Sequence, residues 1–189
     1  MAFGLEIIIL AILGLLLLGV IIYFISIFNG LVRLKNNIKK SWSNINVLLK
    51  QRSDELPKLI NSVKGYMKHE KGVLTELTKA RTSFLSAKTM SQKAAADNMI
   101  SGALKTLFAV AENYPNLKAN ENFMQMQNRI SGLENELADR REFYNDSVNT
   151  YNIRIESFPD MFVAGMMKLQ QKEMFKVTEK EKKDVEVKF

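Results

Sequence analysis

The chain has 189 residues, with 27 Lys and Arg against 20 Asp and Glu, one His, three Pro and no Cys. Zero Cys excludes a disulfide scaffold, thiolate zinc, iron–sulfur clusters and a cysteine nucleophile, and a single His excludes any site needing two imidazoles. The net charge of +7 is unevenly spread: residues 1–32 hold one charged side chain, Glu6, and 25 apolar ones, so residues 33–189 carry 27 cations against 19 anions, or +8. A hydrophobic head is joined to a polar, basic body, and Gly and Pro are too scarce for a disordered chain.

After a short flank, residues 1–6, the run from Ile7 to Phe28 is 22 residues without a charge. At 1.5 Å per residue it reaches ~33 Å, enough for a hydrocarbon core of ~30 Å. A cleaved signal peptide would place Lys or Arg before an apolar run of ~7–15 residues and small residues after it. Here the one preceding charge is acidic, the run is longer, and Ser26-Ile27-Phe28-Asn29 is a poor cleavage site, so residues 7–28 read as a retained transmembrane helix. Gly14 and Gly19 are five apart and make no GxxxG pairing face, whereas Ser26 and Gly30 have small-xxx-small spacing at the membrane edge. Arg33, Lys35, Lys39 and Lys40 follow the span closely and face the lipid headgroups. Positive flanks stay cytoplasmic, which predicts a membrane protein with its N-terminus out and its body in the cytoplasm.

Residues 29–175 read as a helical bundle. Apolar positions recur as Ile38, Trp42, Ile45, Leu49, Leu56, Leu59, Val63, Tyr66, Leu74, Leu77 and Phe84, in steps of three and four, with Arg52 and Glu70 in two of the slots. The pattern predicts a helix from Leu31 to Lys88, ~87 Å if continuous, kinked rather than ended at Pro57 because the stripe keeps its phase there. Lys88 to Lys93 reads as a turn in which Thr89 and Gln92 have capping-box spacing. The second helix runs to about Asn113, burying Ala94, Ala103, Leu104, Leu107, Phe108 and Ala111, and Tyr114-Pro115-Asn116 stops it. A third, N-capped by Asn120, covers about Asn120 to Phe158 with Phe123, Met126, Ile130, Leu133, Leu137, Tyr144, Val148, Tyr151 and Ile155 on its stripe and Arg140 in a vacant slot. Pro159 ends it, a shorter helix spans Met161 to Phe175, and residues 176–189 form a charged tail closing on alternating Val185, Val187 and Phe189. The fold class is therefore all-α: an N-terminal transmembrane helix followed by an elongated antiparallel bundle of three long helices and one short one.

Little chemistry stands out. His69-Glu70 resembles half a zinc metalloprotease helix, but Val73 occupies the position of the second His. Glu70 instead reads as a polar member of the stripe that pairs with a neighbouring helix or Lys. Glu134, Glu136 and Asp139 lack the Glu-x-x-His pairs of a di-iron bundle. There is no phosphate-binding Gly loop and no nucleophile with an identifiable base, so no catalytic residue, metal or cofactor is assigned. The lysines Lys64, Lys68, Lys71, Lys79 and Lys88 are interspersed with Glu70 and Glu76 and lack an aromatic ladder, which reads as solvated helix faces and excludes nucleic acid as the partner. Met161, Phe162, Met166, Met167 and Met174 form a Met-rich stretch with the character of a partner-binding surface.

Several strings taken together are similar to the LemA family. SWSNINVLLKQRSDELPKLINSVKGYMKHEKGVL (41–74), SGALKTLFAVAENYPNLKANENFMQMQ (101–127), RREFYNDSVNTYNIRIESFP (140–159) and the closing VEVKF resemble the family's blocks in their order. Departures are Glu55 and Lys58 around Leu56-Pro57, and Met in place of the family's Phe-rich stretch after Phe158-Pro159. The resemblance implies a bacterial membrane protein with an N-terminal span and a helical bundle, without an established enzyme activity, metal or cofactor. It includes a protein of magnetosome membrane formation and members encoded near membrane metalloproteases. The function expected is a non-enzymatic, membrane-anchored scaffold that forms homo-oligomers and organises or remodels membrane lipid. The alternative is a tethered adaptor presenting its bundle to another membrane protein such as a protease.

Overall fold

A computed structural model describes residues 2–175, and the tail from Lys176, with its alternating Val and Phe, lies outside them. The described residues form six helices and no strand: α1 Ala2–Val63, α2 Lys71–Ser86, α3 Met90–Ala111, α4 Pro115–Lys118, α5 Glu121–Glu156 and α6 Asp160–Met166. The fold is all-α, a long N-terminal apolar helix followed by helices packed as a bundle. Among residues 2–175, 2–40 with 145–174 make one compact unit and 41–144 with Phe175 make another.

In the first unit, every residue from Phe3 to Ser26 is exposed, and packing against α1 begins at Ile27 and Leu31. These two, with Ile38, Val148, Tyr151, Ile155, Val163 and Ala164, are its buried side chains of apolar type. No break separates span from body, since α1 passes through Asn29 and Gly30. Glycine costs a helix interior about 1 kcal/mol, but here it leaves room for a neighbour. A methyl built on Gly30 would lie 2.8 Å from a terminal nitrogen of Arg154 on α5. Of the small-xxx-small pair, Gly30 thus packs within the chain, whereas Ser26 is exposed. After α6 the backbone turns at Lys168, where φ is +50°. Residues 170–172 then run back along α5: the Tyr151 hydroxyl donates to the Gln170 carbonyl at 3.2 Å. Asn152 both donates to the Lys172 carbonyl at 2.9 Å and accepts from its N–H at 2.8 Å. The short helix expected over Met161–Phe175 is therefore a seven-residue helix and a strap.

In the second unit, α1 continues through Pro57 as the stripe's phase requires, but it stops at Val63, well short of Lys88. The Lys64–Glu70 turn contains Gly65, which weakens a helix by exposing backbone and costing chain entropy. Met67 makes this turn an anchored one: it is fully buried, whereas Tyr66, the residue on the expected stripe, is exposed. Glu70 stands at the N-cap position of α2 without capping it, and its carboxylate accepts instead from the Tyr114 hydroxyl at 3.2 Å. α2 packs against α3, with Leu77, Ala80 and Phe84 buried on one and Ile100, Ala103, Leu104 and Leu107 on the other. The capping box forms: Thr89 accepts from the Gln92 N–H while the Gln92 side chain accepts from the Thr89 N–H. Pro115 does double duty, stopping α3 and opening the one-turn α4, which buries Leu117. Asn120 accepts from the Phe123 N–H at 3.1 Å and so starts α5.

Candidate functional site

Of the four flanking cations, Arg33, Lys39 and Lys40 are exposed and Lys35 is half-buried. They belong to the same unit as the Met-rich segment. There Phe158 is 79% exposed, Met166 73%, Phe162 63%, and Met161 and Met174 are also exposed, while Met167 is half-buried. Phe158 and Phe162 stack edge to face at 5.9 Å. Arg154 ties this corner to α1: its guanidinium lies over Gly30, and its Nε donates to the carboxylate of Asp160, the first residue of α6.

The second unit is organised by charges that its apolar stripe conceals. Arg52 is fully buried and donates to Asp97 at 2.9 Å and to Glu134 at 2.8 Å. Asp97 also accepts from Arg141, whose guanidinium lies 4.9 Å from the centre of the Phe175 ring. Trp42 sits 6.2 Å from both Tyr144 and Phe175, closing an aromatic cap beside the ions. Residues from α1, α3 and α5 are thus held by one arginine, and breaking its fully buried pair with Asp97 leaves a buried charge uncompensated. A second cluster joins Glu55 to Arg129 at 2.7 Å and to Lys58 at 3.0 Å. Burial alone would raise the Glu55 carboxyl, but the hydrogen bonds and charges of Lys58 and Arg129 outweigh it and hold the group below the usual carboxylate value. Burial and the Glu70 carboxylate together push the Tyr114 hydroxyl up.

Arg52 therefore occupies its expected slot, but Arg140 does not. It is exposed, and Arg141, one position on, turns inward to Asp97. The step from Leu137 to Tyr144 can be divided as three-four or four-three, and only the carboxylate across the bundle selects the second. Asp97, with its neighbours Ala96 and Ile100, is buried although periodicity did not single it out. Its signal in the sequence is slight: a lone Asp among alanines on a helix whose other buried positions are apolar.

An open groove of about 1410 Å³ lies between the end of α1 and α2, edged by Met99 of α3. Ile60, Met67 and Leu74 supply its apolar lining, and Lys64, Lys68, Lys71 and Lys79 its charge, with His69 beside them and no carboxylate among the lining residues. Among the described residues there is no group of three or more His, Asp or Glu suited to a metal ion. Such a groove can hold an anionic or acidic amphipathic ligand by charge and apolar contact, and carries no paired acid and base.

A family model described as the LemA family matches residues 41–189. The chain belongs to the LemA family. It is 30% identical over 173 residues to Protein LemA of Metamycoplasma hominis, covering 88% of this chain and 77% of that protein. It is also similar to Magnetosome protein MamQ 2 of Paramagnetospirillum magneticum, 34% identical over 80 residues. Magnetosome protein MamQ of Magnetospirillum gryphiswaldense is 30% identical over 80 residues. Each of these two matches covers 42% of this chain and 29% of the magnetosome protein.

In this LemA family chain the matched region begins one residue before Trp42 and contains the whole buried ion network. The apolar run of α1 precedes it. That run is long and apolar enough to cross a membrane, and none of it is buried.

Proposed function

We propose that this LemA family chain is a non-enzymatic, single-pass membrane scaffold that associates with itself and organises or remodels the bilayer around it. The observation that carries the reading is α1: exposed from Phe3 to Ser26 and uncharged from Ile7 to Phe28, then continuing without a break into packed helix as far as Val63. An apolar face of that size left in water would aggregate, and lipid is the solvent that suits it. A non-enzymatic role accords with the carboxylates of the bundle, since Asp97, Glu134 and Glu55 are each engaged by arginine. The relatives named as magnetosome proteins lend the membrane-organising reading support over the 80 matched residues. Glu6 before the span and Arg33, Lys35, Lys39 and Lys40 after it favour a cytoplasmic body, with those cations at anionic headgroups. The test is light scattering of the full chain in detergent, with electron microscopy of liposomes into which it is reconstituted. Oligomers and altered vesicle shape are expected; a strict monomer that leaves vesicles unchanged defeats the proposal.

The basic groove between α1 and α2 favours a second reading, in which the bundle is an adaptor for an acidic segment of another membrane protein such as a protease. Crosslinking in membranes should then capture a partner through Lys68 or Lys71, and recovery of the chain alone counts against it.

A further inference from the structure

The geometry points to a second membrane contact: the exposed corner formed by Phe158, Met161, Phe162 and Met166 inserts into the lipid interface beside the exit of the transmembrane span. The inference rests on the reading of α1 as a span, and goes beyond it by assigning lipid, rather than a protein, to the Met-rich segment.

Position is the first argument. The uncharged run ends at Phe28, and Gly30 is two residues later. Arg154 lies over Gly30, and the same side chain holds Asp160 at the start of α6. One arginine therefore fixes α6 at the level where α1 leaves the hydrocarbon. Phe158 follows four residues after Arg154, in the turn between the end of α5 at Glu156 and the start of α6 at Asp160.

Chemistry is the second. Phe158, Phe162 and Met166 are each more than 60% exposed, the highest of the unit's large apolar side chains beyond residue 28, ahead of Ile153, Met161 and Met174, while Val163, Ala164 and Ile155 are buried. Asp160, the acidic side chain that starts α6, is turned inward and neutralised by Arg154, so it does not oppose entry into a low-dielectric layer. Lys168 and Lys172 follow the patch and Arg33 and Lys35 follow the span, placing cations where phosphates lie. Apolar side chains backed by cations are the composition of an interfacial insertion. A protein partner would instead call for a groove or a polar rim able to define register.

The experiment uses the absence of native Cys. Single variants Phe162→Cys and Met166→Cys, with Leu16→Cys in the span and Ser131→Cys on exposed α5 as references, are labelled with a small fluorophore. The full-length chain is reconstituted into phosphatidylcholine–phosphatidylglycerol vesicles with or without brominated acyl chains. Lipid quenching at residues 162 and 166 should exceed that at 131 by at least about threefold, and iodide quenching should be correspondingly weaker. If residue 16 is lipid-quenched while 162 and 166 respond to iodide like 131, the corner lies in water and the proposal falls, with the span intact. If residues 162 and 166 respond to neither quencher, protein covers them and lipid is the wrong occupant. If residue 16 itself escapes lipid quenching, the span reading fails and takes this one with it. Phe158→Ser/Phe162→Ser, which changes only exposed side chains, should retain helix content and lose the lipid quenching at 166.

Discussion

Arg52 on α1 and Asp97 on α3 form an ion pair at 2.9 Å with side chains 0% and 1% exposed, although 45 residues separate them in the chain. Its surroundings make it a device for registry: the same guanidinium reaches Glu134 of α5, and the same carboxylate receives Arg141 of α5. Asp97→Ala leaves two arginines facing each other without their shared anion. It should lower the unfolding free energy of the full chain, measured by denaturant titration in detergent, by about 3–5 kcal/mol. Asp54→Ala breaks the exposed Lys50–Asp54 pair and should cost less than about 0.5 kcal/mol. Equal effects from the two variants show that the buried network does not hold the unit.

Acid should weaken the second unit through Glu55. Its folded pKa is held below that of a free Glu side chain, which titrates at about 4.3. With the folded value depressed, the contribution is complete above the unfolded pKa and is lost as pH falls through the folded one. The stability difference between wild type and Glu55→Gln should be constant from pH 7 to about 5 and shrink below about 4.3. A difference that grows on acidification contradicts the assignment.

Trp42 is the sole tryptophan and reports on its own packing. Phe175→Ala removes one of its two aromatic neighbours together with the ring beneath Arg141. It should cost about 3 kcal/mol, within the usual range for a buried Phe, and red-shift the Trp42 emission as water enters. An unchanged spectrum places Phe175 elsewhere.

Gly30 and Gly14 lie on the same helix in different surroundings: Arg154 covers the first, and nothing lies within 4 Å of the second. Gly30→Leu should displace the Arg154 guanidinium from its place beside Asp160 and lower the midpoint of thermal unfolding of the body. Gly14→Leu should leave the thermal unfolding of the body unchanged. Similar midpoints for both variants argue against the Arg154 contact.

The proposed orientation is open to a labelling test in a bacterial host. Ser131→Cys should stay unlabelled by a membrane-impermeant maleimide in intact cells and react after permeabilisation. Reaction in intact cells places the body outside and overturns the proposal drawn from Arg33, Lys35, Lys39 and Lys40.

Several local features were legible because their physics acts within a turn or two of chain. The uncharged run from Ile7 to Phe28, the Thr89–Gln92 capping box, the Asn120 cap and the stop at Pro115 each depend on neighbours a few residues away. The stripe of threes and fours marked Ile45, Leu49, Leu56, Leu59 and Val63, all buried. It misled where periodicity is degenerate. It carried one helix through Lys64–Glu70, where burial of Met67 and the Tyr114–Glu70 contact favour a turn. It also placed Arg140 where Arg141 belongs, one residue and 100° of helix away.

By itself, then, the sequence determined an all-α chain with an apolar head, and which faces of its helices are covered, because helix propensity, capping and hydrophobic period are short-range. Only the tertiary structure decided how these charges pair: Arg52 with Asp97 and Glu134, and Arg154 with Asp160 beside Gly30. A buried ion is tolerable only where its partner arrives from another helix, and no pattern within one helix encodes that meeting.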